Sequence, residues 1–223
     1  MRLIRGNNGG LFFLSTHSWT AWRKSLEFYK GVTLKGRVKR MVLCLAYHVL
    51  ASNCSCEEMA ERIETATGCR PDVRDECSGI ISPTGDKAVV HIHGKGYWKA
   101  AMGESYPKVK GEIEVYRLLA QKQPIVFGFS EITEIQDNRK SISFFMRENE
   151  EAFVGDVHKP IEAVLPALKE FHAVTRLVHG DFKPWNVRWR KDGRPQFFDF
   201  EEAHPGDIQE DIDFYRTWSG LRK

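Results

Sequence analysis

The stretch His179-Gly-Asp-Phe-Lys-Pro-Trp-Asn186, with Asp199 thirteen residues beyond it, decides how this 223-residue chain is interpreted. Between Asn186 and Asp199, two short apolar runs flank the turn Lys191-Asp-Gly193, a pattern typical of a β-hairpin. The two outer ends of a hairpin lie side by side. We therefore expect Asp181, Asn186 and Asp199 to converge at one end of it.

A carboxylate, an amide and a second carboxylate in this arrangement suit the transfer of a phosphoryl group. Oxygen ligands must hold magnesium on the nucleotide phosphates, while a separate carboxylate orients the acceptor hydroxyl. In this interpretation Asp181 orients the hydroxyl, and Asn186 and Asp199 hold the metal. The ring of His179 is expected to be structural, as a hydrogen-bonding partner of the loop.

With its His-Gly-Asp form, the stretch resembles the catalytic loop and metal-binding motif of the protein-kinase-like superfamily, in particular the aminoglycoside and choline kinase branch. The resemblance implies an ATP- and magnesium-dependent phosphotransferase with a two-lobe fold. It also implies that Lys183, two residues after Asp181, helps to neutralise the transferred phosphate. Asp181, Lys183 and Asn186 would then be the catalytic residues. Gly180 replaces the arginine that regulated protein kinases pair with a phosphorylated loop, so we expect constitutive activity.

Residues upstream extend the resemblance to the binding of the nucleotide. Lys99 lies in a predicted strand and Glu112 in the following predicted helix, where kinase-like folds pair a phosphate-binding lysine with a glutamate. Glu114 is the alternative partner, but Glu112 places the apolar helix positions behind it better. Ser82 and Thr84 are candidate phosphate contacts in a turn with a single glycine, although a bare hairpin turn fits equally well.

A later aspartate is expected to steady the catalytic loop from a helix. Asp211 resembles that family residue, and Asp213 is the alternative. The aromatic residues around the motif could be mistaken for a surface that stacks on bases, but packing in the core or the hairpin is the favoured interpretation. They are Trp185, Trp189, Phe197 and Phe198.

The pattern of apolar residues and turns predicts an α+β fold with the element order β-β-β-α-β-β before the motif. The first predicted strand begins at Gly79, and the other four cover 88–93, 97–102, 125–132 and 141–147. The predicted helices cover 57–67, 108–122 and 161–174. The kinase-like fold would then have a five-stranded antiparallel N-lobe sheet and a reduced helical C-lobe. The predicted domains are an N-terminal helical extension (1–75), the N-lobe (76–150) and the C-lobe with the catalytic loop (151–223).

The N-terminal region predicts a helix over 18–51 with a basic stretch at 35–40. Such a helix could contact a membrane surface or an anionic glycolipid, or pack on the rest of the protein. Together with a similarity to small bacterial lipopolysaccharide-core kinases, it favours a small-molecule, saccharide or glycolipid hydroxyl as the acceptor. A protein serine or threonine, favoured by Lys183, is the alternative, and a non-catalytic pseudokinase-like scaffold is the competing class.

The amino-acid composition narrows the class of protein, the partners and the compartment that fit this chain. Hydrophobic residues make up 42% and charged residues 28%, as in ordinary globular proteins, and a net charge of +3 does not indicate a specific nucleic-acid partner. Five cysteines without paired spacing favour a reducing, cytoplasmic compartment. The predicted basic helix would add peripheral contact at the inner membrane face. The longest apolar run, 41–51, is too short for a bilayer span of about 20 residues.

Overall fold

A computed structural model describes residues 2–5, 9–15, 52–73, 77–147 and 159–220. They form an α+β protein, and the predicted helix at 18–51 lies outside the described residues. The elements are β1 (Arg2–Arg5), β2 (Leu11–Leu14), β3 (Ser52–Asn53), α1 (Cys56–Thr67), β4 (Cys77–Ile81), β5 (Lys87–Ile92), β6 (Gly96–Met102), α2 (Tyr106–Lys122), β7 (Ile132–Asp137), β8 (Ser141–Arg147), α3 (Ile161–Thr175), β9 (Val187–Trp189), β10 (Pro195–Phe197) and α4 (Ile208–Gly220).

The chain divides into two compact units that differ from the predicted domains. The first unit contains Met1–Tyr106 and Thr133–Glu148, and the second contains Pro107–Ile132 and Asn149–Lys223. The predicted boundary near residue 75 does not separate two bodies, because β2 pairs directly with β4 across it. Helix α2, which was assigned to the N-lobe, lies almost entirely in the second unit.

One large sheet, which belongs to the first unit apart from the first residue of β7, contains eight of the described strands in the order β3-β1-β2-β4-β5-β6-β8-β7. Neighbouring strands from β3 to β8 pair antiparallel. The prediction of five strands is therefore wrong. The three additional strands come from the region for which a helical extension was predicted, and Phe13 and Leu14 on β2 are buried in the core.

Helix α1 covers this sheet through its apolar side. Met59 and Ile63 are fully buried and pack with residues of β5 and β6, including Val90 and Trp98. The helix begins at Ser55, whose hydroxyl accepts from the backbone N–H of Glu58 at 2.9 Å. Three buried free thiols line the same core: Cys54, Cys69 and Cys77.

The strand predicted at 125–132 is wrong, and β7 begins only at Ile132. The backbone N–H groups of Ile125 and Val126 donate instead to the two carboxylate oxygens of Glu170 on α3, at 2.9 and 2.7 Å. Gly128 then forms a parallel bridge with Gln196 on β10. The backbone hydrogen-bonding groups of this segment of the second unit are thus satisfied by a side chain and a single bridge, neither of which the sequence pattern reveals.

The second unit combines α2, α3 and α4 with the β9–β10 hairpin around an aromatic core. Rings of Phe127 and Phe197 stack at 4.9 Å, and those of Phe171 and Phe200 at 5.4 Å. Phe197 and Trp189 are buried, so packing is confirmed for these two aromatic residues of the motif region. No helix in the described part of the chain has the length and apolar character needed to cross a membrane.

Candidate active site

Asp181 lies in the loop between α3 and β9 with both carboxylate oxygens engaged. The ammonium of Lys183 is 2.5 Å from Oδ1, and the side-chain Nδ2 of Asn186 donates to Oδ2 at 3.2 Å. About a fifth of each side chain of the ion pair is exposed, 21% for Lys183 and 22% for Asp181. The carboxylate is therefore fixed in direction while it stays accessible to a small molecule.

Asn186 is held in one orientation by the same loop. Its Nδ2 also donates to the backbone carbonyl of Asp181 at 2.9 Å. The backbone carbonyl of Asn186 accepts from the backbone N–H of Phe198 at 3.1 Å. Because both of these side-chain hydrogen bonds use Nδ2, the amide oxygen is the side-chain atom with the chemistry to bind a cation. The hairpin β9–β10 thus links the loop to the segment that contains Asp199, as its pattern predicted.

Asp199 follows β10 with a backbone φ of +65°, a conformation that residues other than glycine rarely adopt. Its carboxylate lies in a cluster with those of Glu112 on α2 and Glu201, in which one oxygen of each lies within 4.8 Å of the others. The structure therefore brings together two of the predicted residues, Glu112 and Asp199. The third carboxylate of the cluster, that of Glu201, was not predicted as part of the site.

The sequence does contain a signal for Glu201. Asp199 and Glu201 flank Phe200, which is buried in the aromatic core, so the alternation of charged and apolar residues leaves both carboxylates outside that core. Three carboxylates in such proximity form a set of hard oxygen donors, which suits Mg²⁺. Asp199, Glu201 and Glu112, with the amide oxygen of Asn186, are the residues that could hold this ion.

Two groups hold the loop at 179–186 in place. The ring Nε2 of the fully buried His179 donates to the carbonyl of Phe198 at 2.8 Å, as expected of a structural histidine. The backbone N–H groups of His179 and Gly180 donate to the two carboxylate oxygens of Asp211 on α4, at 2.6 and 3.0 Å. Asp213 instead accepts from the side chain of Gln209, so the choice between the two aspartates falls on Asp211.

Burial determines the protonation of this supporting pair. Removal from water lowers the pKa of His179, although the carboxylates of Asp211, Asp199 and Asp181 pull it upward. Burial also raises the pKa of Asp211, against the two backbone N–H donors that favour its charged form. The ring of His179 is therefore neutral at neutral pH, and its Nδ1 has no hydrogen-bond partner among the described residues.

Gly180 is required by the packing of the loop. Its φ is +77°, and a Cβ atom at this position would lie 2.1 Å from the backbone carbonyl oxygen of Glu202. No side chain can be placed there without moving the backbone. The position that carries an arginine in regulated protein kinases thus cannot carry one in this chain.

The remaining predicted residues are distributed between the two units. Lys99 lies buried on β6 of the first unit, whereas Glu112 belongs to the second, and the predicted pairing between them stays a prediction. Glu112 is 1% exposed, while the alternative, Glu114, is exposed and pairs with Arg117 at 2.7 Å. Burial thus distinguishes the two glutamates in the way that their helix positions suggested.

Ser82 and Thr84 form a turn of the first unit that is satisfied internally. Their hydroxyls bond to each other at 2.9 Å, and Thr84 donates to the carboxylate of Asp86 at 2.5 Å. This carboxylate also accepts from the backbone N–H of Ser105 at 2.9 Å. A phosphate would be repelled by Asp86, so the geometry favours the bare hairpin turn, and the phosphate contact stays a prediction.

Comparison with known proteins relates the site to a family. A family model described as the phosphotransferase enzyme family matches residues 146–219, which contain the loop at 179–186, Asp199 and Asp211. The resemblance to kinase-like phosphotransferases is confirmed. The matched segment lies in the second unit except for its first residues, and it includes the β9–β10 hairpin and α4. No curated protein matches the chain.

Three similar solved structures are of the protein WbdD. A high-resolution structure shares 14% identity with a TM-score of 0.40, over 55% of this chain and 31% of that chain. A co-crystal with the kinase inhibitor LY294002 shares 15% identity with a TM-score of 0.39, over 53% and 31%. Monomeric WbdD shares 14% identity with a TM-score of 0.45, over 61% and 37%. This chain spans about a third of the length of these structures.

Proposed function

We propose that this chain is an ATP- and Mg²⁺-dependent kinase with a two-lobe kinase-like fold, which moves the γ-phosphate to a hydroxyl group. The observation that carries the proposal is the arrangement around the β9–β10 hairpin. Asp181 is fixed at both oxygens before β9, and Asp199 lies in an acidic cluster after β10. Phosphoryl transfer requires these two kinds of group in one site, one for the acceptor and one for the metal.

The residues divide the work according to their surroundings. Asp181 orients the acceptor hydroxyl and accepts its proton, because its carboxylate is fixed and partly exposed. Lys183 places a positive charge beside it for the transferred phosphate. Asp199, Glu201 and Asn186 hold the metal, with Glu112 beside them. Mg²⁺ when bound neutralises the charge that develops on the nucleotide phosphates.

The acceptor class rests on the sequence. A saccharide or glycolipid hydroxyl is the proposed acceptor, because the basic stretch at 35–40 would attract an anionic glycolipid at the inner face of a membrane, where a cytoplasmic enzyme would meet it. Lys99 is proposed to bind the nucleotide phosphates. A serine or threonine of a protein is the alternative acceptor, for which the pairing of Lys183 with Asp181 is the specific observation.

Thermal unfolding with ATP or ADP, with and without Mg²⁺, tests the metal site directly. Ligand at about 100 times its Kd stabilises a protein by roughly 2.7 kcal/mol, so a bound nucleotide raises Tm measurably. We expect a Mg²⁺-dependent rise in wild type that is lost in D199N and E201Q. Glu202→Gln is the matched control, since Glu202 pairs with Lys108 at 2.6 Å and is outside the carboxylate cluster.

Equal Mg²⁺-dependent shifts in E201Q and E202Q would contradict the proposed metal site. No shift in wild type at saturating nucleotide would contradict nucleotide binding itself and, with it, the proposed function.

A further inference from the structure

The ammonium of Lys183 lies among three aromatic rings as well as against Asp181. Its Nζ is 5.3 Å from the ring centroid of Trp218, 5.5 Å from that of Phe214 and 5.8 Å from that of Trp185. All three distances fall within the range of about 6 Å over which a cation is attracted to an aromatic ring. One carboxylate and three rings therefore act on a single charge.

The aromatic cage, defined as Trp185, Phe214 and Trp218, is built from two elements. Phe214 and Trp218 are four residues apart on α4 and so share one side of that helix. Trp185 comes from the single helical turn Pro184–Asn186 of the catalytic loop and meets Trp218 edge to face at 5.3 Å. The cage thus joins the last described helix to the loop that carries Asp181.

Helix α4 is fixed to this loop at a second point. Asp211, three residues before Phe214, accepts the backbone N–H groups of His179 and Gly180, which directly precede Asp181. The helix therefore contacts the loop on both sides of Asp181, through Asp211 before it and through the cage after it. The position of the cage relative to Lys183 follows from this double attachment.

The two oxygens of Asp181 depend on different neighbours. Asn186 fixes Oδ2 from within the loop, whereas Oδ1 is held by Lys183, whose long side chain has many rotamers. A flexible ammonium on its own would hold the carboxylate poorly. Rings that attract the same ammonium reduce the number of places it occupies.

We propose that Phe214 and Trp218 are positioning residues that hold Lys183 against Asp181, so that helix α4 sets the direction in which this carboxylate meets the acceptor hydroxyl. The catalytic part of this inference rests on the proposed function. The cage itself does not, because it is defined by the distances around Lys183. Helix α4 then acts on the reaction without touching the substrate.

Acylation of lysines by an amine-reactive reagent, measured by peptide mass spectrometry on the full chain, tests the cage without catalysis. The reagent reaches the amine of Lys183 only when that amine leaves its ion pair. We expect Lys183 to react about two- to five-fold faster in W218L than in wild type, a change equivalent to about 0.5–1 kcal/mol. Trp218→Phe keeps an aromatic face and should stay near wild type, whereas leucine keeps only apolar contact.

The internal reference is Lys108, which pairs with Glu202 at 2.6 Å and should react at one rate in all variants. Unchanged labelling of Lys183 in W218L, with intact Tm, would overturn the inference, as would equal acceleration in W218F and W218L. If W218L does not fold, Phe214→Leu with Phe214→Tyr as its aromatic control makes the same comparison from the neighbouring turn of α4.

A double-mutant cycle then tests the effect on catalysis, with Mg·ATP hydrolysis as the probe reaction. W218L should lower kcat several-fold in the wild-type background and cause no further loss in K183M, because the cage acts through Lys183. Equal losses in both backgrounds would show that Trp218 acts by another route and would refute the positioning role. A wild type without nucleotide binding would instead be a failure of the proposed function, and labelling would still decide the cage.

Discussion

Gly180 shows how a single backbone position can fix the geometry of the catalytic loop. Its φ of +77° favours glycine, and the nearby carbonyl of Glu202 excludes a Cβ atom. We expect G180A to destabilise the protein by about 3 kcal/mol or more, since the clash adds to a left-handed strain of about 1–2 kcal/mol. Gly193→Ala is the matched control: its φ is +86° with no atom within 4 Å of the new Cβ.

Urea denaturation of both variants measures the difference. Gly193→Ala should cost about 1–2 kcal/mol, the strain alone. A G180A protein no less stable than G193A would mean that the loop moves away from Glu202 at little cost, and the tight packing below Asp181 would be refuted.

His179 couples the stability of the same loop to pH. Burial lowers the pKa of its imidazole below the ordinary value of 6.5, so the unfolded chain binds a proton that the folded chain does not. The stabilisation is fully present above pH 6.5 and is lost as the pH falls toward the folded pKa. Wild type should therefore lose unfolding free energy through this one group as the pH falls below 6.5.

Histidine-to-glutamine substitution isolates this contribution. In H179Q the amide nitrogen can still donate to the carbonyl of Phe198, but it does not titrate. The difference in unfolding free energy between wild type and H179Q should shrink as the solution is acidified. Parallel pH profiles for the two proteins would indicate that His179 is not held neutral.

At the scale of the element, helix α4 depends on Asp211 for its attachment to the catalytic loop. Each carboxylate oxygen of Asp211 accepts one backbone N–H group, whereas an asparagine keeps only one such oxygen and turns its own N–H₂ toward the other donor. We expect D211N to cost about 2 kcal/mol and to lower turnover. Asp213→Asn, which affects an exposed partner of Gln209, should stay within about 0.5 kcal/mol of wild type in the same denaturation experiment.

The elements that the sequence predicted well are those with a strong local pattern. Helix α1, β4–β6 and the β9–β10 hairpin have clear apolar periodicity and turn residues, and each was predicted within a few residues of its observed bounds. Strands β1 and β2 are only four residues long, and besides pairing with each other they pair with the distant segments β3 and β4, which no local pattern encodes. Glu201 lies two positions from Asp199 in the sequence, but its proximity to Glu112 depends on the packing of a separate helix, which no local pattern encodes.

At the scale of the whole molecule, the question is whether the chain transfers phosphate or only binds nucleotide. The two activities separate in the proposed site, because Asp199 belongs to the metal cluster and Asp181 to the acceptor side. We expect D181N to keep the Mg²⁺-dependent rise in Tm with ATP while it loses about a hundred-fold or more in turnover. D199N should lose both.

Release of ³²P-phosphate from γ-labelled ATP, with water in place of the unknown acceptor, measures the turnover, and D213N is the control for an aspartate outside the site. A catalytic chain gives wild-type turnover in D213N and loss in D181N with nucleotide binding intact. A scaffold gives a nucleotide-dependent Tm shift in wild type with no release above the D181N level. In that case the fixed carboxylate at Asp181 supports the loop through Lys183 and Asn186 and has no acceptor to orient.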